Sequence, residues 1–158
     1  MNAIEILLAD HEKVKSILAQ LSASTDKAVK KRTELLDKLE MEITIHTQLE
    51  EDILYPAFKE AGGKEQAQMY YEAKEEHRTV DSLVLPDLKK TDPTTPEFAG
   101  RFKVVKELFE HHIEEEETDM FPQAKKLLGK AKLDELGEQM LAMKASLKKS
   151  LSASKLAA

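Results

Sequence analysis

The chain has no cysteine. That absence excludes disulfides, thiolate zinc sites, iron–sulfur clusters and redox thiols together. Any metal bound here must be held by imidazole and carboxylate. Glycine and proline number five each in 158 residues, so breakers are few and each can be read on its own. Apolar runs extend for only a few residues, too short to cross a bilayer. The opening Met-Asn-Ala-Ile-Glu-Ile has no basic segment and no long apolar stretch, so no secretory signal is expected and a cytoplasmic location is the default expectation. Positive charge is in deficit, with 24 Lys and Arg against 30 Asp and Glu and a net charge of −6. With no basic stripe, this argues against nucleic acid as a partner and against an anionic membrane surface.

What is present suits a helical protein with one core. Hydrophobic residues make up 41% and charged residues 34%, and the length allows one domain. Five helices are expected. The first runs from about Ala3 to Leu21, followed by a turn with capping residues at Ser22–Asp26. The second runs from about Lys27 to Glu60 and stops at Gly62-Gly63. The third runs from about Lys64 to Leu88, with Pro86 expected to kink or end it. A loop at Thr91–Thr95 precedes a strong helix start at Thr95-Pro96-Glu97. The fourth helix runs to about Leu128 and Gly129 ends it; the fifth covers about Lys132 to Leu151. Short connections predict an all-α, up-down-up-down four-helix bundle over residues 1–128, with a C-terminal amphipathic helix and tail over 129–158. Pro56 and Pro122 fall inside helices and are expected to break or kink them.

An internal repeat dominates the sequence. His46-Thr-Gln-Leu-Glu50-Glu51, followed by Tyr55-Pro56, recurs sixty-six residues later as His112-Ile-Glu-Glu-Glu116-Glu117, followed by Phe121-Pro122. The same shift carries His11 onto His77 and Val14 onto Val80. All these histidines lie on apolar seams with helical spacing. The seams read Ile4, Leu7, His11, Val14, Leu18, Leu21; then Leu35, Leu39, Ile43, His46, Glu50, Ile53, Ala57. The third reads Tyr70, Ala73, His77, Val80, Val84, and the fourth Phe98, Phe102, Val105, Phe109, His112, Glu116, Met120. Each stripe is interrupted by a His, and two also by a Glu one turn later.

A lone His on an apolar face is ordinarily a hydrogen-bonded core residue, and a metal-free bundle with histidine pairs in its core is the bland alternative. Six polar groups on facing seams are a different case. Burying them without partners is costly, Lys and Arg are scarce on the seams, and a metal satisfies carboxylate and imidazole together. The pattern predicts a pseudosymmetric dinuclear site formed by His11, His46, Glu50, His77, His112 and Glu116. His111 lies about 100° around the helix from His112 and has Ile45 as its repeat partner, so it is expected to be a surface or supporting residue. Glu51 and Glu117 are expected to be solvated pairs rather than ligands or partners of a ligand. Tyr70 is expected to be an ordinary core tyrosine.

The order and spacing of His11, His46-x-x-x-Glu50, His77 and His112-x-x-x-Glu116 resemble those of hemerythrin-like (HHE cation-binding) domains over about residues 1–128. The resemblance implies two iron ions with an oxo, hydroxo or water bridge. It makes the four histidines terminal ligands and Glu50 and Glu116 bridging carboxylates. The oxygen carriers of that family have a further ligand histidine where this chain has Ala73, and an Asp at longer spacing where it has Glu116. The set here is closer to hemerythrin-like regulators, iron handlers and di-iron repair proteins.

The function expected is that of a non-haem di-iron protein binding or reacting with O2, peroxide or NO. The alternative is an iron-handling protein for storage, delivery or iron sensing without turnover. Ile43, Ile53, Val80, Phe109 and Met120 would line the site and limit water. The fifth helix carries Leu133, Leu136, Met140, Met143, Leu147 and Leu151 on one face, which its own bundle, self-association or a partner must cover. Packing on its own bundle is the simplest expectation, and its end from Ser150 to Lys155 is expected to fray.

Overall fold

A computed structural model describes residues 1–157, and no strand occurs among the described residues. Helix α1 (Ala3–Ala23) starts on a capping box, in which Asn2 accepts from the Glu5 N–H at 3.1 Å and Glu5 accepts from the Asn2 N–H at 2.8 Å. Helix α2 comprises Val29–Leu49, a π-helical turn at Glu50–Leu54, and Tyr55–Ala61. Helix α3 comprises Lys64–Arg78, a π-helical turn at Thr79–Val84, and Leu85–Lys89. Helix α4 opens on Thr95, whose hydroxyl accepts from the Phe98 N–H, with Pro96 at the first helical position. It runs through Pro96–Glu115, a third π-helical turn at Glu116–Met120, and on from Phe121 to Gly129. Gly129 adopts φ 74°, a left-handed conformation open to glycine, and helix α5 (residues 130–157) resumes beyond it.

Pro56, Pro86 and Pro122, expected to break, kink or end their helices, each follow a π-helical interruption and the helix continues beyond them. Each of Pro56, Pro86 and Pro122 is preceded by a residue whose N–H bonds five residues back: Tyr55 to Glu50, Leu85 to Val80 and Phe121 to Glu116. Proline has no N–H to offer and its ring presses on the carbonyl four residues back. A wider turn just before it relieves both problems and lets the helix continue. The extra residue turns the following segment by about 100° relative to an uninterrupted α-helix. The inward face therefore passes from Ile53 to Leu54, Tyr55 and Phe58, while Ala57 is only half-buried. Likewise Leu85 and Leu88 replace Val84, and Phe121 and Ala124 follow Met120 in the core.

Two apolar clusters form the core. One joins Ile4 and Leu7, Leu49 and Tyr55, Ala73, and Met120 and Ala124. The other joins Val14 and Leu18, Leu39 and Ile43, Val80 and Leu88, and Phe102 and Phe109. Each of α1 to α4 contributes residues to both clusters. On each of α1 to α4 a histidine falls between the two clusters. Helix α5 covers its apolar face with its own chain, placing Leu133, Leu136 and Met140 in the first cluster. Gly137 of α5 lies so close to the N-terminus that a Cβ there would stand 2.6 Å from the Met1 carbonyl oxygen. The end expected to fray is helical through Ala157. No helix among the described residues is long and apolar enough to cross a membrane.

Candidate metal centre

The structure brings His11, His46, Glu50, His77, His112 and Glu116 into one buried layer, none more than 3% exposed. They form two quartets. His11, His46, Glu50 and Glu116 make one, and Glu50, His77, His112 and Glu116 the other, each with donor atoms within 4.8 Å of one another. Both carboxylates belong to both quartets.

The outer nitrogens of the imidazoles meet carboxylates. His11 Nδ1 lies 2.9 Å from Glu117, His77 Nδ1 3.0 Å from Glu51, and His112 Nδ1 3.0 Å from Glu76. A carboxylate accepts only, so these Nδ1 atoms carry protons and donate. The Nε2 atoms turn inward. His77 Nε2 and His112 Nε2 are 3.0 Å apart, and His77 Nε2 is 3.1 Å from Glu50. His11 Nε2 is 3.1 Å from Glu116, and His46 Nε2 is 3.0 Å from Glu50 Oε1. His46 Nε2 and Glu50 Oε1 are both buried without any hydrogen-bond partner. Imidazole lone pairs directed at one another and at carboxylates demand positive charge between them. The donor set fits two cations of the kind bound by nitrogen and oxygen.

Without metal, that positive charge is supplied by protons. Burial works against charge on His46, but Glu50 and Asp10 outweigh it and raise its pKa to about 10. Burial also opposes charge on His77, and its bonds to Glu50 and Glu51 raise it to about 9. Glu50 is buried too, yet His46 and His77 hold its carboxyl well below the usual range. Metal binding and protonation therefore compete for the same lone pairs.

Four contributors fall outside the sequence expectation. Tyr55 is fully buried, donates to Glu116 Oε1 at 2.5 Å, lies 3.2 Å from Glu50, and stacks on His77 at 5.4 Å. Its repeat partner Phe121 stacks on His11 at 5.5 Å instead. Asp10 and Glu76 stand behind His46 and His112, and Lys144 of α5 pairs with Asp10. A signal for two of them existed: an acidic residue directly precedes both His11 and His77, and the shift of sixty-six residues relates the pair. Glu51 and Glu117 were expected to form solvated pairs; they accept from imidazole instead, with side chains 31% and 29% exposed. This partnership fixes tautomer and ring orientation.

His111 lies outside the layer, 60% exposed and 3.1 Å from Glu115. Tyr70 is half-buried, edge-on to Tyr55 at 6.3 Å. Ile43, Ile53, Val80, Phe109 and Met120 are all buried around the layer. A cleft of about 190 Å³ descends to His112 and Glu116 past Glu72, Glu76, Glu115 and Asp119.

A helical fold with a buried layer of imidazoles and shared carboxylates defines a metal-binding helical bundle. Residues 2–124 match the Hemerythrin HHE cation binding domain, and the chain belongs to that family. It is similar to the crystal structure of a Hemerythrin HHE cation binding domain-containing protein from Mycobacterium kansasii, a Rv2633c homolog. The TM-score is 0.82 at 31% identity, over 95% of this chain and 89% of that one. The uncharacterized protein Rv2633c of Mycobacterium tuberculosis is 30% identical over 144 residues, 90% of this chain and 84% of that protein. A DNA nickase of Nostoc is 24% identical over 151 residues; this chain spans only 41% of its length.

Proposed function

We propose that the protein is a non-haem di-iron protein that binds or reacts with O2, peroxide or NO. His11 and His46 would hold one iron and His77 and His112 the other. Glu50 and Glu116 would bridge them, with a water, hydroxide or oxide between. The scaffold is read as an up-down-up-down bundle over residues 1–128, capped by the helix that follows. One observation carries the reading: imidazoles backed by carboxylates on Nδ1 turn their Nε2 lone pairs onto two shared carboxylates. An iron pair held by these residues would supply two electrons to a small oxidant. The chain's own part is to hold the donors in place, exclude water through its apolar lining and keep a proton on Tyr55 beside Glu116.

Metal analysis of protein from iron-supplemented cells tests this, together with oxo-bridge absorption and the rate of peroxide consumption. Two irons per chain with peroxide turnover support it; no stoichiometric metal overturns it. The second reading, iron handling without turnover, is favoured by the acidic cleft that ends on His112 and Glu116. It predicts two irons, metal-dependent stability and no consumption of peroxide. The nicking activity named for the Nostoc relative is not carried over, because this chain spans only 41% of that protein at 24% identity.

A further inference from the structure

The two halves of the centre follow the repeat as far as the carboxylates behind the imidazoles, and part there. Asp10 is 1% exposed. Its Oδ1 receives Lys144 Nζ from α5, a side chain only 13% exposed. Lys13 Nζ, 48% exposed, approaches the same oxygen from the solvent side at 3.6 Å. The other oxygen, Oδ2, faces His46 Nδ1 at 3.8 Å, and neither atom has another partner. Closing that gap by about 1 Å makes a hydrogen bond from the imidazole to the carboxylate. Glu76, the repeat partner of Asp10, pairs with no lysine among the described residues. It bonds His112, lies 3.9 Å from exposed His111 and forms part of the wall of the acidic cleft. His11 and His46 are fully enclosed, with Phe121 stacked on His11 and the ring of Phe109 6.5 Å from His46.

We infer that α5 belongs to the metal centre: Lys144 is a positioning residue that holds Asp10 against His46, making the His11/His46 position slow to exchange its cation and leaving the His77/His112 position, at the foot of the cleft, to exchange quickly. The inference rests on the dinuclear reading above. A buried carboxylate with two lysines within reach takes the orientation that the nearer one fixes. With Lys144 gone, Asp10 turns toward Lys13 and solvent, and His46 loses the acceptor that sets its ring and tautomer. Helix α5 is anchored for this role by Leu136, Met140 and the close approach of Gly137 to the N-terminus.

The test loads wild-type protein and the variants K144M, K144R, D10N and E76Q with cobalt(II) to two per chain. Excess chelator is then added and release is followed by the ligand-field spectrum and by metal analysis. Wild type releases cobalt in two phases of equal amplitude. K144M speeds the slow phase about tenfold or more, the scale set by loss of a ligand's supporting partner, and leaves the fast phase alone. D10N, which removes the carboxylate charge behind His46, reproduces this effect; K144R retains the slow phase; E76Q changes only the fast one. A single phase in wild type, a slow phase indifferent to both K144M and D10N, or an equal acceleration of both phases overturns the inference. Failure of wild type to take two cations overturns the dinuclear reading as well, whereas two cations with an indifferent slow phase overturn this inference alone.

Discussion

Tyr55 donates its phenolic proton to Glu116 across 2.5 Å. It reaches Glu116 through the π-helical turn at Glu50–Leu54. Counted from His46 along an unbroken α-helix at about 100° per residue, Tyr55 lies about 180° away, on the far face. The extra residue of the turn swings it inward. Burial, reinforced by the charges of Glu116 and Glu50, holds the phenol pKa well above its ordinary value. In the metal-free centre Tyr55 is therefore a neutral donor.

Substituting Tyr55→Phe keeps the ring and removes the donor. Glu116 then loses a buried partner, a loss worth about 1–3 kcal/mol. Urea unfolding with chelator present is expected to show it. In iron-loaded protein the cations satisfy Glu116, and the difference shrinks. An equal loss in both forms would assign Tyr55 to packing alone.

The raised histidines set the pH response of the metal-free protein. Unfolded histidine titrates near about 6.5, whereas His46 and His77 in the fold titrate near about 10 and about 9. Below the unfolded value both states hold the protons and the stabilisation is complete. It is lost as pH rises through 9 to 10, where the fold gives up the protons it holds. The melting temperature of metal-free protein should fall between neutral pH and that range. Iron-loaded protein should not show the fall, since cations replace the protons, and loading at neutral pH should release protons into unbuffered solution. A flat metal-free profile would show that the imidazoles are neutral at pH 7.

Much of this centre is legible in the sequence because periodicity and repeat agree. Four seams of apolar residues, each interrupted by His, place the six inward groups on one level of the fold without any contact being known. The misses share a physical cause. Tyr55 and Phe58 displace Ala57 because a proline imposes a wider turn, and a strict 3.6-residue count cannot register the added residue. Asp10 sits beside His11 in sequence yet serves His46 on another helix, a relation that only packing creates. Lys144 is invisible for a stronger reason: its helix lies outside the repeat, so no internal copy marks it.

Adjacent His111 and His112 part company at the buried layer. His112 points inward between Glu76 and His77, and His111 is a surface residue paired with Glu115. Substituting His112→Ala is expected to lower bound iron from two per chain to about one or less, because a cation site loses one of two imidazoles. Substituting His111→Ala should retain both. Metal analysis of the two variants, prepared identically, decides between them; iron lost only from the His111 variant would reverse the assignment.

Ala73 offers a test of access. It is 3% exposed and forms the cleft floor with His112 and Glu116, one turn before His77 on α3. A methyl group there leaves the cleft open to the inner donors. Substituting Ala73→His fills the cleft and brings a further imidazole to the His77/His112 side. Bound iron should stay at two per chain, and the reaction with peroxide or NO should slow about tenfold or more, as expected when a ligand's position is taken by the protein. Stopped-flow absorbance on equally loaded samples measures it. An unchanged rate would mean that small ligands enter elsewhere, with the second cleft beside His77, lined by Glu51 and Asp81, as the next candidate.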